Sequence, residues 1–215
     1  KMFTENFGKV SILSKGAWRS KKAIGPILEP PNHVYIQYYH KYNREIQILK
    51  SATFVQHFFD LRNDLGRIIL GLAIVEILDK SMLESFPHPI LYRLSWRILN
   101  KLNDTKLNFW FVFAFFLYQL SVRLGFMPNL ETCYKCNQGV KGGGLDDCVG
   151  ELVCTDCIVK SRITIGENGC IFLKQLSGLH LDNLNVLSIS NRDLIDSIHF
   201  LESFLLFHVG GLKKL

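Results

Sequence analysis

Four cysteines in the second half of the chain have the spacing of a metal site. Two Cys-x-x-Cys pairs, Cys133 with Cys136 and Cys154 with Cys157, are separated by 17 residues. At this spacing four thiolates can close tetrahedrally on one zinc ion. Four cysteines leave no coordination position for water or substrate, so we expect a structural Zn2+, one per chain, rather than a catalytic one. Two disulfides or four unliganded thiols are the alternatives.

The residues around the two pairs fit a small folded module. Asn137, Gly139 and Gly150 tolerate turn conformations, and Leu152-Val153 can form a short strand that enters the second pair. The glycine run at residues 142–144 lacks the Lys-Ser/Thr of a phosphate loop, so we expect a loop tip there.

Other side chains near the module have simpler expected roles. A zinc ion with four thiolates carries a formal charge of about −2, which favours nearby cations. The cations close in sequence are Lys135, Lys141, Lys160 and Arg162. Two cysteines have no Cys-x-x-Cys partner, Cys148 and Cys170, and we interpret them as a loop thiol or a small apolar residue.

The net charge of +6 is confined to the N-terminal part of the 215-residue chain. Residues 1–50 hold nine Lys or Arg against three acids, whereas the bases and acids of residues 51–215 cancel. Five bases and no acid lie between Glu5 and Glu29. This distribution predicts a surface that binds a polyanion rather than a generally basic protein.

Composition favours a globular protein of the cytoplasm. The chain is 48% hydrophobic and 20% charged, and its most apolar run, residues 109–118, is too short to cross a membrane. We see no signal peptide, and metal-type cysteine usage indicates a reducing compartment. The chain starts at Lys1-Met2-Phe3, so we expect an upstream segment to be missing.

The first 55 residues predict short strands. Residues 9–15, 33–40 and 44–54 alternate in polarity, and a hairpin connection is expected at Lys41-Tyr42-Asn43. Ile46 and Ile48 should point inward. Short antiparallel strands over this length indicate a small barrel.

Helical spacing of apolar residues begins near Asp60. We predict helices at residues 60–82, from Pro87 and Pro89 through 102, and at 107–124, the last being apolar nearly all round and central to a bundle. After the cysteines, residues 173–179 predict a short helix and 191–209 a clearer one.

Sequence patterns of catalysis are missing, so an enzyme is the weakest interpretation. The chain contains no phosphate loop, nucleophile elbow or His-Glu-x-x-His pattern, and its seven histidines have no mutual spacing. Asp60 and Asp64 lie one turn apart, but favourable charge at a helix N-terminus explains them. We therefore expect no small-molecule substrate.

Short segments distributed along the whole chain, together with the cysteine pairs, carry a family resemblance. In order they are Thr4-Glu5-Asn6-Phe7-Gly8-Lys9, Lys15-Gly16-Ala17, Leu28-Glu29-Pro30, Asn43-Arg44-Glu45, Leu61-Arg62 with Asp64-Leu65, Pro87-His88-Pro89, Leu124-Gly125-Phe126-Met127-Pro128-Asn129-Leu130 and Phe207-His208 with Gly210. The series resembles the bacterial RecO family of DNA repair and recombination proteins.

The resemblance implies an α+β multidomain protein. We expect an OB-fold DNA-binding domain at residues 1–57, without the family's usual first barrel strand, and a helical domain at 58–132 and 159–215 with a zinc-binding module inserted at 133–158. The resemblance also implies binding of single- and double-stranded DNA and annealing of complementary strands. With RecR, such a protein helps to load RecA onto DNA covered by single-strand-binding protein.

The DNA-binding residues follow from the charge and aromatic patterns of the N-terminal part. We expect phosphate contacts from Lys9, Lys15, Arg19, Lys21, Lys22, Lys41 and Arg44, with Trp18 or Tyr39 available to stack a base. Trp18 stands where the family commonly has a basic residue.

Partner binding is expected on the helices. The resemblance implies that the acidic, aromatic-ended tail of single-strand-binding protein docks between them, near Arg93, Arg97 and Arg123. The alternative function is a zinc-stabilised scaffold for protein partners that contacts DNA only incidentally.

Overall fold

The computed structural model describes residues 1–17, 24–159, 161 and 163–209. The chain divides into two compact units, Lys1–Thr105 and Lys106–Leu215. The predicted domain boundaries at 57/58, 132/133 and 158/159 remain a prediction.

Unit 1 begins with a four-stranded sheet. Its strands are β1 (Met2–Thr4), β2 (Gly8–Leu13), β3 (His33–Tyr39) and β4 (Ile46–Gln56), in the spatial order β1-β2-β4-β3. The β1–β2 and β3–β4 pairs are antiparallel, while β2 and β4 run parallel. A short helix, α1 (Gly25–Leu28), precedes β3. The strands therefore confirm an N-terminal β domain, although the parallel pair and β1 were not foreseen.

Three helices complete unit 1: α2 (Phe59–Asn63), α3 (Leu65–Ser81) and α4 (Pro89–Asn103). The single helix predicted for residues 60–82 is wrong, because Asp64 has extended backbone dihedrals and separates α2 from α3. Its carboxylate accepts a hydrogen bond from the Arg67 N–H at 3.1 Å and thereby caps α3. The break turns α2 so that Leu61 is fully buried.

Two arginines of these helices hold loops through backbone oxygens. Arg62 donates to the carbonyls of Glu29 and Pro30 and thus holds the segment before β3. Arg67 is 4% exposed, and its guanidinium donates to the carbonyls of Leu102 and Asp104 at 2.7 and 2.8 Å. Arg67 thereby satisfies carbonyls at the C-terminus of α4, where cations are favourable.

Unit 2 is organised around α5 (Phe109–Arg123), which is buried along most of its circumference. α6 (Glu167–Gly178), a 3₁₀ helix (Leu181–Val186) and α7 (Asn191–His208) pack against it. The prediction that α5 is central is confirmed, and the fully buried Phe113, Phe116, Phe172, Phe200 and Phe204 form much of this core. α6 begins six residues earlier than the helix predicted at 173. No described helix combines the length and hydropathy needed to cross a bilayer.

Candidate metal centre and nucleic-acid interface

The four cysteines of the two pairs converge on one point in unit 2. The Sγ atoms of Cys133, Cys136, Cys154 and Cys157 all lie within 4.8 Å of one another, and those of Cys136 and Cys154 are 3.8 Å apart. Sulfurs placed tetrahedrally at about 2.3 Å from a zinc ion would be about 3.8 Å apart. The geometry therefore fits a four-thiolate metal site.

Backbone hydrogen bonds shape each half of the site. In the first pair, Asn137 adopts a positive φ of 58° and its N–H donates to the Cys133 carbonyl at 2.9 Å. In the second, the Cys157 N–H donates to the Cys154 carbonyl at 3.1 Å. A bond of 3.0 Å from the Tyr134 N–H to the Leu152 carbonyl joins the halves. The predicted turn at Asn137 is thus confirmed.

The thiol pKa values show why a cation suits this cluster. Burial acts to raise the pKa of Cys133, but backbone N–H groups of Cys154, Cys136 and Lys135 outweigh it and lower that pKa to about 6. Contacts with Cys136 and Cys154 raise the pKa of Cys157 to about 12. The Cys133 thiolate therefore forms readily while Cys157 resists ionisation, so a positive ion among the sulfurs would favour the fully ionised cluster.

A three-stranded sheet carries the second cysteine pair. Its strands are β5 (Gly143–Leu145), β6 (Leu152–Cys154) and β7 (Thr164–Ile165), in the order β6-β5-β7. β6 confirms the predicted strand at Leu152-Val153. The loop tip predicted at residues 142–144 is wrong, because Gly143 and Gly144 lie in the buried central strand. A Cβ on Gly143 would stand 1.9 Å from the Val153 carbonyl oxygen, so only glycine fits.

A tight turn at residues 146–151 lies between β5 and β6, and we call it the Asp146 turn. The Asp146 carboxylate accepts the N–H groups of Cys148 and Val149 at 2.9 and 3.2 Å. Lys135 of the first cysteine pair places its Nζ 2.7 Å from the other carboxylate oxygen, and this bond lowers the pKa of Asp146. Lys135 thus connects the first cysteine pair to the Asp146 turn.

The far side of the Asp146 turn packs on the end of α7. Gly150 has a φ of +72°, and a Cβ there would stand 2.2 Å from Cδ1 of Phe207. The His208 Nε2–H donates to the Gly150 carbonyl at 3.2 Å, and Phe126 stacks on the His208 ring. Sequence reasoning noticed Phe207-His208 only as a family feature and missed this contact with the cysteine module, residues 133–165.

The remaining charged and thiol side chains of unit 2 have local roles. Cys148 is exposed, whereas Cys170 is buried in α6, where burial raises its pKa to about 11. These placements agree with a loop thiol and a small apolar residue. The Lys141 Nζ lies 3.8 Å from the Glu167 carboxylate. Lys160 and Arg162 lie outside the described residues.

The predicted DNA contacts in unit 1 divide into internal and exposed side chains. Lys9 is only 8% exposed, and its Nζ lies 3.3 Å from the Asp79 carboxylate. The Lys9 charge is therefore paired with a carboxylate inside unit 1. In contrast, Lys15, Lys41 and Arg44 are exposed, and none of the residues that the structure describes forms an ion pair with them. Trp18, Arg19, Lys21 and Lys22 lie outside the described residues.

The strand register brings exposed apolar side chains into one row. Leu13 pairs with Ile48 across β2 and β4, and Ile48 pairs with Tyr39 across β4 and β3. Leu13 is 48% exposed and Tyr39 58%. We call this surface the β2–β4–β3 face. The prediction that Ile46 points inward is wrong, since Ile46 is exposed and Gln47 is buried instead.

Cations border this face at both ends of the paired strands. Lys15 follows β2 beyond the Leu13–Ile48 pair, whereas Arg44 precedes β4 before the Ser11–Ile46 pair. At about 3.3 Å per residue, these two cations are about 20 Å apart along the strands. Lys50 is also exposed and lies where the β3–β4 register shifts between Gln37 and Tyr38. Its position in the basic N-terminal part could have identified it.

The connection between β3 and β4, residues 40–45, is held by Gln47, and we call it the Lys41 turn. The Gln47 side chain makes three hydrogen bonds to the backbone of Lys41 and Arg44. A polar residue flanked by Ile46 and Ile48 is a signal that sequence reasoning passed over.

The three arginines predicted near a protein partner do not all belong to one unit. Arg93 and Arg97 are exposed on α4 of unit 1, and the Arg93 Nε lies 2.9 Å from the Glu5 carboxylate. Ile90 and Trp96 are exposed on the same helix. Arg123 is half-buried at the end of α5 in unit 2.

Comparison with known protein families assigns both parts of the chain. A family described as "Recombination protein O N terminal" matches residues 1–58, and one described as "Recombination protein O C terminal" matches residues 62–215.

Individual relatives carry the same name. A "DNA repair protein RecO" of Salinibacter ruber is 35% identical over 130 residues, which are 60% of this chain and 50% of the relative. The chain therefore spans about half the length of that relative. Proteins of the same name from Syntrophomonas wolfei and Desulfatibacillum aliphaticivorans are 23% and 27% identical, over 94% and 99% of this chain and 80% and 85% of the relatives.

Proposed function

The chain belongs to the RecO family of recombination proteins, and on that premise we propose that it is a non-enzymatic DNA-binding protein of recombinational repair. It binds single- and double-stranded DNA through unit 1. Unit 2 is stabilised by one structural zinc ion on its four cysteines, since tetrahedral thiolate sites favour zinc and offer no open position for catalysis.

One observation supports DNA binding above the others. The β2–β4–β3 face combines exposed apolar and aromatic side chains, Leu13, Ile46 and Tyr39, with bordering cations that have no acidic partner among the described residues. Single-stranded nucleic acid needs both features, because phosphates attract cations while bases stack on rings. Small barrels of the OB type bind oligonucleotides on such a face.

Salt dependence of binding tests the proposal. Each phosphate contact contributes about 0.7 to the slope of log K against log salt on single strands. Changing Lys15, Lys41 and Arg44 together to Ala should flatten that slope by about two, because three cations are removed. All DNA sequences should be weakened alike, since phosphates carry no sequence information.

A triple change in the charge-balanced helical region serves as the control. Lys80, Lys101 and Lys106 changed together to Ala should alter DNA affinity much less. If this variant loses more affinity than the first, the β2–β4–β3 face is not the main DNA site. The alternative, a scaffold for protein partners with incidental DNA contact, would then be favoured.

The action on DNA that we propose is strand annealing and, with RecR, assistance in loading RecA onto DNA covered by single-strand-binding protein. A cationic face that binds two strands without sequence preference lowers their repulsion and raises their local concentration. Purified protein should accelerate annealing of complementary oligonucleotides, and the triple variant at residues 15, 41 and 44 should lose that acceleration. Equal acceleration by both proteins would count against this mechanism.

For the tail of single-strand-binding protein we propose a site on α4. Ile90, Arg93, Trp96 and Arg97 give this helix an exposed stripe of apolar and cationic groups, which suits an acidic peptide that ends in an aromatic residue. Titration calorimetry should detect micromolar binding of a tail peptide to the wild type. Arg93→Ala with Arg97→Ala should weaken it. No detectable heat at high peptide concentration would exclude the site.

A further inference from the structure

The Lys41 turn is exposed, yet several hydrogen bonds fix its backbone. The Gln47 Oε1 accepts the Lys41 N–H at 2.9 Å, and its Nε2 donates to the carbonyls of Lys41 and Arg44 at 3.1 and 2.7 Å. The Arg44 N–H also donates to the Lys41 carbonyl at 3.2 Å. Four hydrogen bonds therefore fix a connection of six residues.

The buried amide of Gln47 makes this arrangement specific. Gln47 is only 5% exposed, and an amide removed from water is costly unless its polar atoms find partners. Both N–H donors and the oxygen are satisfied by the turn. The amide orientation follows from the backbone, because an N–H needs an acceptor and the two carbonyls need donors. Loosening the turn would therefore leave a buried amide without partners.

What the fixed turn presents to solvent is an aromatic ring between two cations. Tyr42 is 94% exposed, and its nearest described ring is His40, 4.8 Å away and nearly perpendicular at 81°. Lys41 precedes Tyr42, and Arg44 follows two residues later; both are exposed. The Tyr42 ring is thus almost fully open to solvent, and its immobilised backbone reduces the entropy that a ligand would have to remove.

We propose that the Lys41 turn binds an unpaired base by stacking on Tyr42, with Lys41 and Arg44 on neighbouring phosphates, and that it gives the protein a preference for single-stranded DNA. This inference rests on the DNA binding proposed above. A duplex keeps its bases stacked on each other, so a projecting ring finds a free base face only in a single strand or at a frayed end.

An abasic oligonucleotide separates stacking from phosphate contact. Affinity of the wild-type protein should be measured for oligothymidylate, for an abasic strand of equal length and for a duplex. Stacking of one base predicts that oligothymidylate binds about 10-fold more tightly than the abasic strand. Tyr42→Ala should remove most of this difference by weakening oligothymidylate alone, while Tyr42→Trp should keep it.

Two further variants sharpen the test. Gln47→Leu keeps the bulk of the side chain but cannot hold the turn, so it should lower the preference for oligothymidylate severalfold. Trp110→Ala removes an exposed aromatic side chain of unit 2 outside the cysteine module and should change nothing. If Tyr42→Ala keeps the full preference while binding stays salt-dependent, the stacking role is overturned and the proposed function stands. If the wild type binds neither strand in a salt-dependent way, the proposed function itself fails.

Discussion

The cysteine module of unit 2 and the Lys41 turn of unit 1 are both short polar segments, but they are fixed by different chemistry. The module converges four sulfurs to within 4.8 Å, a cluster that needs an ion to hold four negative charges. The turn depends on neutral hydrogen bonds from one buried glutamine. With the zinc ion that we propose, the first kind of support would be lost as a whole when the ion leaves, whereas the second weakens by degrees.

The largest expected effect comes from removing one sulfur of the module. Cys154→Ser should release the metal and lower the stability of unit 2 by about 3–5 kcal/mol, because the remaining thiols no longer close a site. Elemental analysis and chemical denaturation measure the two effects. Cys148→Ser, at the exposed thiol outside the cluster, should change stability by less than about 0.5 kcal/mol. A larger loss from Cys148→Ser would mean that the ligand set is wrong.

The next effect tests whether the module depends on α7. Gly150→Ala should cost about 2–3 kcal/mol, because its φ of +72° disfavours alanine and the new Cβ meets the Phe207 ring. In a Phe207→Ala background the same change should cost only about 1 kcal/mol, the conformational part. Thermal denaturation of the wild type, the two single variants and the double variant measures both costs as a double-mutant cycle. Equal costs in both backgrounds would show that the ring contact contributes nothing.

A smaller effect is expected for the support of the Lys41 turn. Gln47→Leu removes three hydrogen bonds, but the exposed backbone groups of the turn can bond to water instead. The loss of stability should therefore be only about 1 kcal/mol. Hydrogen exchange at the Lys41 N–H should accelerate, since its acceptor is gone. If Gln47→Leu lowered stability as much as Cys154→Ser does, the expectation that this support weakens by degrees would be wrong.

The smallest effect concerns a carboxyl group on α7 of unit 2. Burial raises the pKa of Glu202 above its ordinary 4.5, while His199 acts against the shift. The unfolded chain therefore releases this proton at lower pH than the folded chain, so stability falls as pH rises above about 4.5. Glu202→Gln should be more stable at pH 7 by about 0.5 kcal/mol, a value reduced by solvent screening.

The comparison of Glu202→Gln with wild type at several pH values checks the sign. The advantage of the glutamine variant should shrink as pH falls toward 4.5 and vanish well below it, where the folded and unfolded carboxyl groups are both protonated. A glutamine variant that is less stable at pH 7 would show that Glu202 has a stabilising partner.

The cysteine module and the Lys41 turn differ in how much of their structure could be predicted from sequence, and the reason is physical. The clustering of the four cysteines was predictable because Cys-x-x-Cys spacing directly reflects coordination geometry. The predicted ends of α5 and α7 were also close to the observed ends. Asn108 and Ser190 cap these helices with side chains that accept hydrogen bonds from backbone N–H groups. Local chemistry decides these features, and local chemistry can be read from sequence.

Features decided by contacts distant in sequence were missed. Residues 142–144 have the composition of a loop, but β6 lies so close to Gly143 that no Cβ fits there. Ile46 and Gln47 could each have faced inward, because alternation alone does not say which side of a strand is covered. The break at Asp64 was hidden by apolar spacing that continues through Leu61 and Leu65, although an aspartate three residues before Arg67 is a capping signal.

The glycine strand β5 also has a calorimetric consequence. Between β6 and β7 it contributes backbone hydrogen bonds, and Leu145 is its sole side chain beyond hydrogen. Heat capacity of unfolding rises with apolar surface exposed and falls with polar surface exposed. The side chains of Leu145, Leu152, Val153 and Ile165 are buried and supply the apolar surface that opening of this sheet exposes, while Gly143 and Gly144 supply only peptide groups. The module should therefore add less to the heat capacity of unfolding than a sheet of the same size whose central strand carries ordinary side chains.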